Sequence, residues 1–206
     1  VLQVLLDGAF GDFFEHRFRL ARFACLLDGD AAFGVKQVGR HAGGVQRLGL
    51  GRGDVHRDVL AERLVADHNL AVVLIGGPTD QKLGDEIVEK SGRNEIINLA
   101  GKTKLRESAA VLAQAELFVG NDSGPAHLAA SVDCPIVVIS GADDPKETSP
   151  LARHKRLIYL SHLECISCVK NTCPLKGEHA MQCMKQITVA AVLGQVTDLL
   201  REISGS

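Results

Sequence analysis

The chain has 206 residues, of which 46% are hydrophobic and 23% charged, and its formal net charge at pH 7 is -2. These values are ordinary for a soluble globular protein and leave room for one large domain or two small ones. No apolar run reaches the ~18 residues of a membrane-spanning helix, and no clustered basic face favours nucleic acid. The apolar N-terminus lacks the basic leader and cleavage site of a secretory signal, so we expect a cytoplasmic protein.

The first 57 residues have an unusual composition. Four common residue types appear only later in the chain, first as Ile75, Pro78, Thr79 and Ser91. Up to Arg57 the basic residues are seven Arg and one Lys, whereas six Arg and nine Lys follow. One hypothesis is that residues 1–57 are a frame-shifted or truncated remnant of another domain; a divergent, loop-rich region is the alternative. We therefore expect an atypical region, 1–57, and a globular domain, 58–206.

From residue 58 onward, hydrophobic periodicity predicts alternating helices and strands. The predicted helices are Asp58–Asp67, Asp80–Ser91, Lys104–Gln114, Ala126–Val132 and Ile187–Ile203. The predicted strands are Ala71–Ile75, Ile96–Asn98, Leu117–Val119 and Ile136–Ile139. This repeat predicts an α/β fold with a parallel, Rossmann-like sheet.

A strand, a loop of small residues and a helix follow one another between Val119 and Ala130. Ligands of open α/β sheets bind at such strand ends, and a helix N-terminus with the Ser123 hydroxyl suits a diphosphate. Gly124 permits tight backbone geometry, His127 lies about one helical turn beyond Ser123, and Asp122 suits a ribose or sugar hydroxyl. A purely structural interpretation also fits: Asp122 or Ser123 caps a buried helix, and His127 is a half-buried histidine.

Three ordered segments resemble glycosyltransferase family 9, the ADP-heptose:lipopolysaccharide heptosyltransferases: Val73–Asp80, Asn98–Thr103 and Leu112–Ala130. The pattern from Cys165 through His179 to Cys183 is similar to the heptosyltransferase II branch of that family. The resemblance covers roughly residues 58 to 200. It implies a GT-B architecture, two Rossmann-like domains facing a cleft, of which this chain holds the C-terminal, nucleotide-sugar-binding domain.

The resemblance also implies site residues. Those that match the family's diphosphate and sugar contacts are Asp122, Ser123, Gly124 and His127. Those that match positions near the nucleotide, ribose and base are Thr103, Gly76, Gly77, Asp80 and Gln81. Thr103 also suits the N-cap of the following helix. The family's catalytic base corresponds to Asp12, while the stretch before the helix at residue 58 lacks the Lys and the Ser or Thr that help to hold the phosphates.

The implied reaction is inverting, metal-independent transfer of heptose from ADP-heptose to the lipopolysaccharide inner core. It needs no cofactor, and it implies peripheral contact with the inner face of the inner membrane. Two alternatives remain open: a non-catalytic nucleotide-binding module, or a family member that uses another nucleotide sugar. A Rossmann-type dehydrogenase is disfavoured, because no G-x-G-x-x-G follows an early strand.

Four cysteines could form a metal site: Cys165, Cys168, Cys173 and Cys183. The first two have the C-x2-C spacing of zinc ligands, but the other two do not. Reduced cysteines also pack as small buried residues in cytoplasmic proteins, so we favour a structural role. Cys25 and Cys134 are expected to be solitary structural residues.

Overall fold

A computed structural model describes residues 22–27, 57–170 and 172–205. The predicted catalytic base Asp12 and most of the atypical region 1–57 lie outside the described residues. No described helix is both long and apolar enough to cross a membrane.

The described strands form one parallel sheet. They are β1 (Phe23–Leu27), β2 (Ala71–Ile75), β3 (Ile96–Asn98), β4 (Leu117–Asn121), β5 (Ile136–Ile139) and β6 (Lys155–Ile158). Their order in the sheet is β3-β2-β1-β4-β5-β6, and all neighbours are parallel. The predicted Rossmann-like α/β fold is thus confirmed.

The described helices connect and flank these strands. They are α1 (Arg57–His68), α2 (Gln81–Ser91), α3 (Leu105–Leu112), α4 (Gly124–Ser131), α5 (Pro145–Thr148), α6 (Gln182–Lys185) and α7 (Val189–Ser204). The described residues also contain two 3₁₀ turns, Pro78–Asp80 and Gly177–His179. The predicted helices are confirmed with shifts of a few residues at their ends, whereas β6, α5, α6 and both 3₁₀ turns had not been predicted.

Two hydrophobic cores lie on opposite faces of the sheet, because successive side chains of a strand point to opposite sides. In β2, for example, Val72 and Leu74 contribute to the core under α1 and α7, whereas Val73 and Ile75 contribute to the core under α3 and α4. The sheet is therefore buried on both faces, which explains why its inner strands read as continuous apolar runs.

Strand β1 comes from the compositionally atypical region, in which the sequence had indicated no strand. It pairs with β2 on one side, with Cys25 opposite Val73, and with β4 on the other, with Cys25 opposite Phe118. Ala24, Cys25 and Leu26 are buried. The central strand of the sheet thus lies before the composition change, and the division of the chain at residue 57 stays a prediction.

Two helical glycines provide a matched test of this packing. A Cβ added at Gly84 in α2 would lie 2.3 Å from Asn98 Oδ1. Asn98 cannot easily move aside, because its Nδ2 donates to the Gln81 carbonyl and to Asp85 Oδ1, at 2.9 and 2.7 Å. At Gly194 in α7, an added Cβ would have no neighbour within 4 Å.

We expect Gly84→Ala to lower the free energy of unfolding by about 1–3 kcal/mol through overpacking. Gly194→Ala should instead raise it by about 0.5–1 kcal/mol, since alanine stabilises an exposed helix interior relative to glycine. Urea denaturation of both variants measures the difference. Equal effects of the two substitutions would contradict the packing described between α2 and β3.

Candidate functional site

The predicted site lies where the direction of strand connection reverses. From β1 the chain proceeds outward through β2 and β3, and it returns to the other side of β1 as β4. In open parallel sheets, ligands bind beyond the carboxyl ends of the strands at this switch point. Strand β4 ends at Asn121, so residues 122–124 lie at this point.

The N-terminus of α4 offers a small set of hydrogen-bond donors. Ser123 is the N-cap, but its hydroxyl donates to the Asn121 carbonyl (3.1 Å) rather than accepting from the helix. The amides of Ala126 and His127 donate to the Ser123 carbonyl, at 3.0 and 3.2 Å. Among the described residues, the amides of Ser123 and Gly124 find no hydrogen-bond acceptor. These two amides are therefore the free donors of this terminus, and the Ser123 hydroxyl can join them only by turning away from the Asn121 carbonyl.

Asp122 and His127 lie close together but differ in exposure. Only 3% of the Asp122 side chain is exposed, against 54% of the His127 side chain. Asp122 Oδ2 accepts a hydrogen bond of 2.7 Å from the Thr148 hydroxyl, and Oδ1 lies 3.8 Å from His127 Nε2. The carboxylate thus faces protein groups, while the imidazole is the accessible member of the pair.

The structural interpretation considered for the loop is right that Ser123 is the N-cap of α4 but wrong about the side chains. Neither Asp122 nor Ser123 caps the helix through its side chain, and His127 is exposed rather than half buried. The ligand contacts implied for these residues stay predictions.

A polar segment after β5 lies beside Asp122, and the sequence analysis did not identify it. Asp144 caps α5, with its Oδ1 accepting from the Lys146 amide at 3.0 Å, and Thr148 lies at the end of that helix. Desolvation, and then the charge of nearby Asp122, raise the pKa of Asp143. The available signal was the acidic pair Asp143-Asp144, followed by Pro145, in the loop after the buried strand β5, since the ends of such strands hold the ligands of these folds.

The residues predicted near the ribose and base lie after β2 and β3, at the same edge of the sheet. Asp80 is 5% exposed, and its Oδ2 accepts a 2.7 Å hydrogen bond from the Gly77 amide. An added Cβ at Gly76 would lie 2.8 Å from that same oxygen. The Asp80 carboxylate therefore holds the Gly76-Gly77 loop, whereas Gln81 is exposed.

Thr103 does not cap the next helix, so that alternative is wrong. The N-cap of α3 is Lys104, whose amide donates to Glu107 Oε2 at 2.7 Å. The Thr103 hydroxyl instead pairs with the Ser108 hydroxyl at 2.8 Å.

The two groups of predicted residues are separated by one strand. Gly76 and Gly77 follow β2, Asp122 follows β4, and β1 lies between them. Two interstrand spacings amount to about 10 Å. The two loops are thus placed to contact different parts of one elongated ligand.

Cys165, Cys168 and Cys173 all lie near Cys183. The Met181 amide donates to Cys173 Sγ at 3.2 Å, and Gln182 Nε2 donates to Cys165 Sγ at 3.4 Å, both beside Cys183. Desolvation, and then the neighbouring thiols, raise the pKa of Cys183. In the part of the chain that the structure describes, however, no three His, Cys, Asp or Glu residues are arranged to hold a metal ion. A zinc site here stays an untested alternative.

Cys25 and Cys134 are not solitary, contrary to expectation. Both are buried in the same core under α3 and α4. Burial, and then the neighbouring Cys134, raise the pKa of Cys25 well above its ordinary value, and burial raises the pKa of Cys134 to about 12.

The thiols should therefore differ in reactivity. At pH 8 we expect iodoacetamide to modify Cys165, Cys168 and Cys173 in the native protein, because the thiolate is the reactive form and these residues are only partly buried. Cys25 and Cys134 should react only after denaturation. Peptide mass spectrometry with and without guanidinium distinguishes the two sets, and rapid native modification of Cys134 would refute the assignment.

Asp143 makes stability depend on pH with a defined sign. Its pKa in the folded protein is raised, so the ionised carboxylate disfavours folding at neutral pH, and this effect disappears as acidification protonates it. Because Asp143 is exposed and solvent screens its charge, we expect Asp143→Asn to raise the Tm by no more than about 1 °C at pH 7, with a gain that shrinks toward pH 4. Thermal melts of Glu147→Gln, an equal charge change at a residue that is likewise exposed but lies on α5, provide the control. A gain independent of pH would contradict the assignment to ionisation.

The comparison with protein families agrees with this architecture. The model of glycosyltransferase family 9 (heptosyltransferase) matches residues 58–179. The chain belongs to glycosyltransferase family 9.

Family relatives align with most of the chain. Lipooligosaccharide heptosyltransferase 2 of Haemophilus influenzae is 34% identical over 148 residues, which cover 70% of this chain and 42% of that protein. Lipopolysaccharide heptosyltransferase 2 of Salmonella typhimurium is 33% identical over 150 residues, covering 71% of this chain and 42% of that protein. The chain thus spans about two fifths of the length of these family 9 relatives.

A solved structure, that of E. coli ADP-heptose lipopolysaccharide heptosyltransferase II, superposes with a TM-score of 0.65 at 27% identity. The superposition covers 89% of this family 9 chain and 48% of that one. The resemblance stated from the sequence motifs is therefore confirmed.

Proposed function

We propose that this chain provides the donor-nucleotide site of a heptosyltransferase and that it binds ADP-heptose at the carboxyl edge of the sheet. The observation that carries the proposal is the position of the Ser123 and Gly124 amides, which have no acceptor among the described residues, at the switch point of a family 9 sheet. Amides at a helix N-terminus bind phosphate because they combine free donors with the positive end of the helix dipole.

Each part of the donor has a proposed partner. The amides of Ser123 and Gly124 and the Ser123 hydroxyl bind the diphosphate, and the exposed His127 ring contacts the diphosphate or the sugar. Gly76, Gly77 and Gln81 lie beside the ribose and base, with Thr103 flanking them. Asp80 supports this loop through the Gly77 amide rather than through a contact with the ligand.

The proposed reaction is inverting transfer without a metal or a cofactor. A carboxylate, assigned by resemblance to Asp12, removes the proton of an acceptor hydroxyl, whose oxygen attacks the anomeric carbon of the heptose. The bond from that carbon to the diphosphate breaks, and ADP leaves with the bonding electrons. The donors at the α4 N-terminus stabilise the charge that grows on the departing diphosphate.

The proposed acceptor is the lipopolysaccharide inner core, reached at the inner face of the inner membrane. For this chain by itself we propose donor binding with little transfer, since it aligns with about two fifths of its relatives. A turnover assay with ADP-heptose and core lipid tests that part, and efficient product formation would contradict it.

Donor binding is tested by isothermal titration with ADP, ADP-heptose and UDP. We expect ADP and ADP-heptose to bind at least about tenfold more tightly than UDP, with affinity falling about tenfold or more in the Asp122→Ala, His127→Ala double variant. The loss follows from removing the exposed ring and the carboxylate beside it.

The matched control is the double variant Asp198→Ala, His179→Ala, which removes the same residue types at exposed positions on other elements. It should bind ADP as the unchanged protein does. Absence of ADP binding by the unchanged protein would refute the donor site. Equal binding of ADP and UDP would favour a nucleotide-binding module or another nucleotide sugar.

A further inference from the structure

One hydroxyl joins the two loops that follow β4 and β5. Thr148 Oγ1 lies 2.7 Å from Asp122 Oδ2 and 3.0 Å from the Asp144 carbonyl oxygen. A hydroxyl has a single proton, and an ionised carboxylate is the stronger acceptor of the two. The Thr148 hydroxyl therefore donates to Asp122.

Thr148 is itself held in place by its short helix. Its amide donates to the Asp144 carbonyl at 2.9 Å, and the Asp144 side chain caps the same helix through the Lys146 amide. The hydroxyl is thus presented to Asp122 from a backbone that is fixed locally by hydrogen bonds.

Asp122 has few other ways to satisfy its carboxylate. Its side chain is 3% exposed, and a buried charge is costly unless it is hydrogen-bonded. Its amide donates to the Ile139 carbonyl at 3.0 Å, which fixes the backbone beside β5. The nearby Asp143 carboxylate adds repulsion, so the hydrogen bond from the Thr148 hydroxyl offsets part of the cost of placing the Asp122 charge here.

The other carboxylate oxygen then faces the accessible histidine. With Oδ2 bound to Thr148, Oδ1 is directed to within 3.8 Å of His127 Nε2. Rotation of the carboxylate would change this separation, so the Thr148 hydroxyl governs the surroundings of the imidazole.

We infer that Thr148 is a positioning residue for nucleotide binding, acting through Asp122 on His127. The inference rests on the proposed function, because it assigns Thr148 to the same donor site. It also couples the loop after β5 to the helix terminus after β4, so that both loops are needed for one arrangement of the site.

The test is a double-mutant cycle read by calorimetric titration with ADP. Thr148→Val removes the hydroxyl and keeps the shape, and we expect ADP to bind about five- to tenfold more weakly. Thr148→Ser, which keeps the hydroxyl, should recover most of the affinity. In a His127→Ala background, Thr148→Val should weaken binding by less than about twofold, because the two residues act through one pathway.

Thr197→Val is the matched control, since it removes a hydroxyl that donates to the Leu193 carbonyl in α7, away from these loops. ADP affinity should not change in that variant. Additive effects of Thr148→Val and His127→Ala, or failure of Thr148→Ser to recover affinity, would overturn the inference.

A readout without ligand separates this inference from the proposed function. The ring resonances of His127 in the free protein should shift in Thr148→Val and remain near their original positions in Thr148→Ser and Thr197→Val. If the unchanged protein does not bind ADP but these shifts occur, the proposed donor site is wrong, whereas the effect of Thr148 on His127 is confirmed. If ADP binds and the His127 resonances do not respond to Thr148→Val, the positioning role is wrong.

Discussion

The parallel pairing of β1 between β2 and β4 is the constraint on which the rest of the structure depends. With Cys25 opposite both Val73 and Phe118, this strand joins the two halves of the sheet and contributes side chains to both cores. It also creates the switch point, because the chain turns to one side of β1 with β2 and to the other with β4. Without this strand, the loops after β2 and β4 would share no common edge.

The charges of the site are arranged by burial. Two carboxylates, Asp122 and Asp143, lie near each other beside the N-terminus of α4, where exposed negative charge would repel a diphosphate. Asp143 is exposed, whereas only 3% of the Asp122 side chain is exposed. Asp122 is turned inward to Thr148, and the groups exposed at the helix terminus itself are Gly124 and the His127 ring. The buried Asp122 side chain is thus compatible with the proposed anion site, because the Thr148 hydroxyl satisfies it away from the exposed ring of His127.

The family relationship and the geometry contribute different kinds of information. The family model shows that the chain belongs to glycosyltransferase family 9, and the superposition with E. coli heptosyltransferase II agrees with its fold. Neither distinguishes residues that contact the ligand from those that support such residues. The geometry supports the proposed division in this chain, because Asp80 and the side chain of Asp122 are buried and bonded to protein groups, whereas Gln81 and His127 are exposed.

The sequence by itself determined the α/β class, the strands from β2 to β5 and the helices around them. These features depend on local hydrophobic patterns, and the loop Asp122–Gly124 was recognisable because a strand, small residues and a helix N-terminus are adjacent in the chain. The tertiary structure decided what depends on distant partners. Strand β1 is stabilised by pairing with segments about 50 and 90 residues away, and no local pattern reports such pairing. Thr148 likewise lies 26 residues from Asp122 in the sequence, and their hydrogen bond exists only because β4 and β5 are neighbours in the sheet.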